Sequence, residues 1–199
     1  IFAAETLLGG RDKATWARRA LELYESVDDL EGQAEMTNNL GVIAYFDSRW
    51  DETVERYRQA IEADRRIGNL LDASLSEANI GEVLVNQGRL DEAEPLLRDA
   101  ARLLRASDFG AAPFAEMHLG RLLTARGEFD EAERLLRSGV EEWRANGRAA
   151  SAYETSIYLA DCLARSGRPQ AGLDVLAQPT GGDADEIAIF EAASSLVSA

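Results

Sequence analysis

The sequence predicts an all-α protein, a right-handed α-α superhelix (solenoid) of antiparallel helix pairs. The first observation is a repeat, in which a small residue recurs about every forty positions, at Gly41, Gly81, Gly120 and Ala160. The second is that other residue types keep fixed distances from this small residue. Self-similarity at such a period is typical of units that bury their apolar faces only by stacking on neighbours. We therefore expect about four full helical hairpins with partial units at both ends.

Each repeat contains, in the same order, the residue types that a helical hairpin needs. Seven positions after the small residue stands a turn residue, which is Ser48, Gly88, Gly127 or Gly167. Glycine suits a helix end that requires positive φ. An apolar anchor follows the turn, and small and large residues then alternate at helical spacing, as at Leu90, Ala93, Leu97 and Ala100. Because small residues opposite large ones let two antiparallel helices approach closely, each unit predicts two packed helices.

The chain begins with a partial unit over residues 1–32. Residues 13–27 have the pattern of a second helix, and only Ile1–Leu8 remain of the helix before it. Four repeats follow, at about residues 33–70, 71–109, 110–148 and 149–180, and the second helices end near Asp28, Gly68, Asp108 and Gly147. Two segments of sequence Asp-Glu-Ala-Glu, which begin at Asp91 and Asp130, predict that these aspartates cap their helices.

The fourth repeat departs most from the pattern. Ala160 replaces the glycine, and Pro169 stands where the other units have an apolar anchor. Atypical terminal repeats are expected of capping units, and the second helix of this repeat should be short, about residues 169–178. A break at residues 179–182 ends the predicted solenoid domain, which spans residues 1–182. Residues 183–199 predict a final amphipathic helix, either a cap or the start of a further unit.

The acidic composition limits the classes of partner. The chain carries 36 acidic against 21 basic residues, a formal net charge of −15. Nucleic-acid binding needs a basic face that displaces counterions, so we expect neither nucleic acid nor an anionic membrane as partner. No apolar stretch approaches the roughly 18 residues of a membrane helix, and no signal peptide is visible. A single cysteine, Cys162, is typical of a cytoplasmic protein, and a start within a hairpin favours a piece of a larger protein.

The sequence lacks the motifs of an enzyme. It has one histidine, His118, and no zinc-binding, nucleophile-elbow or phosphate-loop motif. A metal site needs clustered His, Cys or carboxylate ligands, which one histidine and one cysteine do not provide. Acidic pairs such as Asp51 and Glu52 lie at turns or helix starts, where acids stabilise the helix dipole. We therefore expect a chain that is not an enzyme and that binds no metal or cofactor.

These residues together resemble the tetratricopeptide repeat (TPR), in which Leu-Gly on the first helix precedes a turn glycine, an apolar anchor and alternating small and bulky residues. The resemblance covers roughly residues 1–180, with a period longer than the usual 34 residues, as in kinesin light chains and large bacterial signalling proteins. Residues 20–62 are similar to the C-terminal repeats of bacterial adenylate/guanylate cyclases. Similar repeats follow the ATPase of some transcriptional regulators. The resemblance implies a regulatory, partner-sensing module.

A TPR solenoid implies that the first helices line a concave groove, where residues of helical spacing share one face. The residues predicted to line a peptide-binding groove are Glu35, Asn38, Asn39, Tyr45, Asn79, Glu82, Met117, His118 and Arg121. Asn39 and Asn79 match asparagines that hydrogen-bond an extended peptide in kinesin-light-chain-like repeats. Alternatively, these two asparagines bridge helices or face water. For His118, a packed position between helices is the main alternative to contact with a ligand.

Three classes of function are compatible with the sequence. The first is a non-catalytic module that binds a protein, a peptide or another domain of the same chain, and so regulates an attached signalling domain. The second is a structural role, self-association into a homodimer through the incomplete N-terminal unit and the last helix. The third, an enzyme, needs titratable residues that converge in one pocket. The lysine and asparagine pair with which chaperone-type TPR domains hold a C-terminal carboxylate is absent, which excludes that mode of binding.

Overall fold

The computed structural model describes residues 2–107 and 110–178, with side chains from residue 13 onward. Within these ranges the chain forms only helices and turns. The helices are α1 (Phe2–Ser26), α2 (Leu30–Phe46), α3 (Trp50–Ile67), α4 (Leu70–Asn86), α5 (Leu90–Ala106), α6 (Ala112–Arg126), α7 (Phe129–Ala145), α8 (Ala149–Arg165) and α9 (Pro169–Leu176). The predicted all-α fold is confirmed. Asp108 and the proposed capping helix at residues 183–199 lie outside the described residues.

The helices pair as the repeat predicts. Four antiparallel hairpins form, from α2 with α3, α4 with α5, α6 with α7 and α8 with α9. Helix α1 packs against α2. The turns inside the hairpins have the left-handed geometry expected of them. Gly88 has φ of 72° and Gly127 has φ of 82°, and the next N–H, of Arg89 or Glu128, returns to the carbonyl oxygen five residues earlier at 2.9 Å. This arrangement satisfies the last carbonyl groups of the first helix.

Close approach of the two helices explains the small residue of each repeat. A Cβ atom on Gly81 would lie 2.5 Å from a side-chain carbon of Leu97, and Gly41 and Gly120 meet Tyr57 and Leu136 in the same way. In the fourth hairpin the small residue moves to the second helix: a Cβ atom on Gly172 would lie 2.8 Å from the carbonyl oxygen of Ala160. The short α9 confirms the departure predicted for this repeat.

The N-terminal unit differs from the prediction. Instead of a short first helix at Ile1–Leu8 and a separate helix at residues 13–27, one continuous helix, α1, extends from Phe2 to Ser26. Gly9 and Gly10 stand between the two predicted helices and lie inside α1. A glycine inside a helix costs only about 1 kcal/mol relative to alanine, so two glycines weaken the helix without ending it.

The predicted aspartate caps are wrong. Helix α5 begins at Leu90 and α7 at Phe129, so the N-cap residues are Arg89 and Glu128, neither of which makes a side-chain cap bond. Asp91 and Asp130 lie instead within the first turn, where a negative charge still stabilises the helix dipole. The apolar anchor therefore starts each of these two helices, and Leu90 and Phe129 pack against the core as partly buried residues.

The hairpins stack so that each second helix packs against the first helix of the next hairpin, as α3 does against α4, α5 against α6 and α7 against α8. Among equivalent helices, α4 contacts α6 and α6 contacts α8, whereas the backbones of the second helices of neighbouring hairpins approach each other less closely within the described chain. The core between the two layers is built mainly of alanine and leucine, and its largest fully buried side chains include Leu97, Leu104, Leu122, Leu123, Leu136, Leu159 and Leu163. The first helices therefore form the inner layer of the stack, and the second helices form the outer layer.

Candidate functional site

Polar side chains from four successive first helices meet on the inner layer. We call this set the inner-face network. Its members are Tyr45 on α2, Glu82 and Asn86 on α4, His118 and Arg121 on α6, and Glu154 and Tyr158 on α8. Each helix that contributes two residues does so at a spacing of three or four positions, which places them on one helix face. The network therefore crosses all four hairpins of the described chain.

Glu82 lies near the centre of the network. The Tyr45 hydroxyl donates a hydrogen bond of 2.7 Å to Glu82 Oε1, and Asn86 Nδ2 donates to the Tyr45 hydroxyl at 3.0 Å. The Glu82 side chain keeps 19% of its surface exposed. Burial is the main cause that raises the pKa of the Glu82 carboxyl, and the hydrogen bond from Tyr45 opposes this rise.

Arg121 joins α4, α6 and α8. Its guanidinium donates to Asn86 Oδ1 at 2.7 Å and to His118 Nδ1 at 3.1 Å. The same group lies over the ring of Tyr158, with Cζ 4.4 Å from the ring centroid, a distance suited to a cation–π interaction. Arg121 thus binds neutral acceptors and an aromatic face, and within the described residues no carboxylate forms a salt bridge with it.

His118 is neutral, and Arg121 fixes its tautomer. Because an arginine only donates hydrogen bonds, Nδ1 of His118 accepts, and the ring proton is on Nε2. The side chain is 1% exposed, and its Nε2 lies 3.7 Å from Glu82 Oε2 without a hydrogen-bond partner. Burial, with the charge of Arg121 second, lowers the pKa of His118 well below its ordinary value of 6.5. Phe114 packs edge-on against the ring, at a centroid distance of 4.8 Å.

Glu154 is the second carboxyl of the network. The Tyr158 hydroxyl donates to Glu154 Oε1 at 3.3 Å. Burial, and secondly the negative charge of Glu82, raises the pKa of Glu154 to about 7. Burial likewise raises the pKa of the Tyr45 and Tyr158 hydroxyls above the ordinary tyrosine value, so both phenols stay protonated donors at neutral pH.

The structure brings together four of the nine predicted groove residues, namely Tyr45, Glu82, His118 and Arg121. Asn38 accepts a hydrogen bond of 3.3 Å from Ser76 and so joins α2 to α4. Glu35 is exposed, and Asn39 and Asn79 are half-buried outside the network.

Met117 is only 3% exposed, and its sulfur accepts a hydrogen bond from Thr155 at 3.2 Å. The prediction that Met117 lines an open groove is therefore wrong, because α8 covers it. His118 is also buried, which agrees with the packed alternative, although its ring belongs to the network.

Three network residues were absent from the predicted site. Glu154 and Tyr158 occupy positions of the fourth repeat that correspond to predicted positions in earlier repeats, so the repeat pattern itself was the signal that could have found them. Asn86 stands one helical turn after Glu82. Asn86 is recognised as a member of the network only from its hydrogen bonds with Tyr45 and Arg121, which belong to different hairpins.

Other chemistry has little support in the described residues. They contain no group of three or more His, Cys, Asp or Glu side chains that could hold a metal ion. Cys162 is buried, and burial raises the pKa of its thiol, which disfavours the reactive thiolate. None of the helices in the part of the chain that the structure describes is long and apolar enough to cross a membrane.

Comparison with known proteins gives one family and several similar folds. The family described as the MalT-like TPR region matches residues 11–181. BtubC (BKLC) from P. vanneervenii has a similar structure, with a TM-score of 0.66 and 17% identity over 93% of this chain and 77% of that one. Two structures of the nearly identical TPR-like repeats of a putative kinesin light chain from Podosopora anserina, the first of them a point variant, give TM-scores of 0.58 and 0.56 at 17% identity. They cover 93% and 92% of this chain and 95% of theirs. No curated protein matches the sequence.

Proposed function

The chain belongs to the MalT-like TPR family, and from this premise we propose that it is a non-catalytic module that binds a peptide or protein along its inner layer. TPR repeats generally mediate contacts between proteins, and their fold is typically non-catalytic. The partner is a segment of another protein or another domain of the same chain. Nucleic acid and membrane are not partners in this proposal, because the chain carries a net charge of −15.

The inner-face network is the observation that supports this proposal. An extended or helical segment on the inner layer would contact all four first helices at once. Tyr45, Glu82 and Arg121 keep part of their side chains exposed there, and half-buried Asn39 and Asn79 offer amide groups that can pair with a peptide backbone. Such a mixture of apolar, amide and charged groups suits a partner that presents both side chains and backbone.

We propose the inner layer as the regulatory region of a longer cytoplasmic signalling protein. The similarity of residues 20–62 to the repeats of bacterial adenylate/guanylate cyclases supports such a parent protein. The alternative parent is an ATPase-type transcriptional regulator. In either protein, a partner bound along the first helices would change how the repeats contact the attached domain.

A random dodecapeptide library displayed on phage tests the binding function. Peptides selected on the immobilised chain should lose at least about tenfold in affinity for an Asn39→Ala, Asn79→Ala double variant, since a lost hydrogen bond costs about 1 kcal/mol and every 1.4 kcal/mol is tenfold. A matched Gln59→Ala, Asp99→Ala variant changes exposed residues of the outer layer. Equal affinity for the wild-type chain and the inner-layer variant would contradict the proposal.

A second candidate function is self-association. Large apolar side chains are exposed on the terminal helices: Trp16 is 66% and Leu23 63% exposed on α1, and Leu173 is 61% exposed on α9. Exposed apolar surface of this kind often marks an interface. Light scattering during size-exclusion chromatography distinguishes the two functions, because this candidate requires a homodimer. A monomer at the highest soluble concentration would remove it.

A further inference from the structure

Two carboxylates of the inner-face network lack a cationic partner. The described contacts of Glu82 and Glu154 are with phenol hydroxyls, from Tyr45 and Tyr158, and with the neutral ring of His118. The outer layer is different. There Glu94 pairs with Arg98 and Arg126, and Glu133 pairs with Arg137 and Arg168. The inner layer therefore holds two desolvated carboxyl groups that form no salt bridge with an arginine or lysine in the described contacts.

Arg121, the arginine of the network, does not neutralise these two carboxyl groups. Arg121 directs its guanidinium at Asn86, His118 and the face of Tyr158. Its charge lowers the pKa of Glu82 and Glu154 only as a secondary cause, and burial prevails at both groups. With both carboxyls ionised, the network carries one positive and two negative charges. One further positive charge would balance it.

A buried and unpartnered donor also points into this region. His118 is 1% exposed, and its Nε2 lies 3.7 Å from Glu82 Oε2 without forming a hydrogen bond. An unsatisfied buried donor costs about 1–3 kcal/mol. A small movement of Glu82 toward His118, made as the other face of the carboxylate binds an incoming cation, would satisfy both groups. The described geometry thus leaves one buried donor unused beside Glu82.

We propose that Glu82 and Glu154 together receive a positively charged side chain, lysine or arginine, of the peptide that binds the inner layer. This inference rests on the proposed function and names the chemistry of its partner. Glu82 is 19% exposed and so can be reached from the open side of the inner layer. An ammonium or guanidinium there would form charge-assisted hydrogen bonds with desolvated carboxylates, which are stronger than neutral ones. An acidic residue at the same place would meet uncompensated negative charge.

The peptide library described above also tests this inference. Selected peptides should share a lysine or arginine, and a synthetic peptide in which citrulline replaces that arginine should bind at least about tenfold more weakly, a loss of about 1.4 kcal/mol. Citrulline keeps the shape of arginine and removes its charge. The Glu82→Gln, Glu154→Gln double variant should lose this preference, while Glu62→Gln, an exposed residue of the outer layer, should retain it.

The outcomes separate the two proposals. If selected peptides bind the inner layer, as judged by the asparagine variant, but contain no preferred basic residue, the inference is wrong and the proposed function stands. A preference for arginine that persists in the glutamine double variant also overturns the inference. If no peptide depends on the inner layer, both proposals fail. Thermal melts of each variant check that the fold is intact.

Calorimetry provides a second measurement that does not depend on a variant. Glu154 has a pKa of about 7, so binding of the arginine peptide at pH 7 should release a fraction of a proton, and binding of the citrulline peptide should release less. The groups that act on Glu154 and also titrate or carry charge are Glu82, Arg121 and Tyr158. Titrations in two buffers of different ionisation enthalpy measure the protons released. Equal proton release by the two peptides would contradict the inference.

Discussion

One arginine organises the inner-face network. Arg121 determines which nitrogen of His118 carries the proton, because it donates to Nδ1 at 3.1 Å and an arginine does not accept. It also holds Asn86 and packs on Tyr158. Since these partners belong to three different helices, a single side chain couples hairpins that are separated by about forty residues in sequence.

His118 should remain neutral when the pH falls to 5.5. Protonation would place a charge in a buried position beside Arg121, and both effects lower the pKa of the ring. Because His118 is the only histidine, its ¹⁵N resonances can be assigned without mutagenesis. We expect the Nε2–H tautomer throughout the range from pH 8 to 5.5. A midpoint near 6.5 in the folded chain, equal to that of the urea-unfolded control, would contradict this prediction.

Glu154→Gln should stabilise the chain more at pH 8 than at pH 5.5. The folded pKa of about 7 lies above the ordinary glutamate value of 4.5, so Glu154 contributes stability at low pH that is lost as the pH rises through 7. Glutamine keeps the acceptor for Tyr158 and has no charge to desolvate. We expect the gain in the free energy of unfolding to be about 1–2 kcal/mol larger at pH 8, from urea denaturation. The same gain at both pH values would be evidence against a raised pKa.

The repeat register together with helical periodicity was sufficient to predict that Tyr45, Glu82 and Arg121 face the same side, because equivalent positions of successive repeats, and residues one helical turn apart, point the same way. It was insufficient for Met117. Whether a residue at the edge of that face is open or covered depends on how closely the next hairpin stacks, and α8 approaches α6 near Thr155. This distance is set by side chains about forty residues away in sequence and not by the local pattern.

The helix ends were predictable where the backbone itself requires a special residue. Left-handed geometry at Gly68, Gly127 and Gly167 follows from the glycines alone. The helix starts were not predictable in the same way, because a capping residue and an apolar anchor compete to be the first residue of the helix. Asp91 resembles a cap, yet Leu90 begins the helix and packs against the core as a partly buried residue. Packing of the anchor prevails over a capping bond that is worth about 1 kcal/mol.

Glycine substitutions in the middle of helices should separate close contact from helix propensity. Gly81→Ala should lower the free energy of unfolding by about 1–3 kcal/mol, because the new Cβ would lie 2.5 Å from Leu97 and the two helices would have to separate. Gly139→Ala is the matched control. Its Cβ would meet Thr155 at 3.4 Å, an ordinary contact, so this alanine should be neutral or should stabilise by up to about 1 kcal/mol. A loss of equal size in both variants would mean that contact with Leu97 does not limit the hairpin.

Stacking of the hairpins depends on more than the apolar core. On the outer layer, arginines bridge successive units: Arg98 of α5 bonds Glu131 of α7 at 3.0 Å, and Arg168 bonds Glu133 at 2.5 Å. In a solenoid each repeat contacts only its neighbours, so stability is approximately a sum over units and the interfaces between them. A contact between hairpins should therefore influence the units on both of its sides.

Arg105→Gln should loosen the contact between the second and third repeats. Arg105 on α5 bonds Glu116 on α6 and, at 2.7 Å, Glu142 on α7. Arg102→Gln is the matched control, because this arginine makes the same change of charge on the same helix but pairs only with Asp99 of its own helix in the described contacts. We expect a loss of about 1–2 kcal/mol for Arg105→Gln and of less than about 0.5 kcal/mol for Arg102→Gln. Amide hydrogen exchange should accelerate in α6 and α7 of the Arg105→Gln variant and should not accelerate there in the Arg102→Gln variant. The reason is that an opened interface exposes the units that it joins. Acceleration confined to α5 would mean that the bridge stabilises one helix and not the stack.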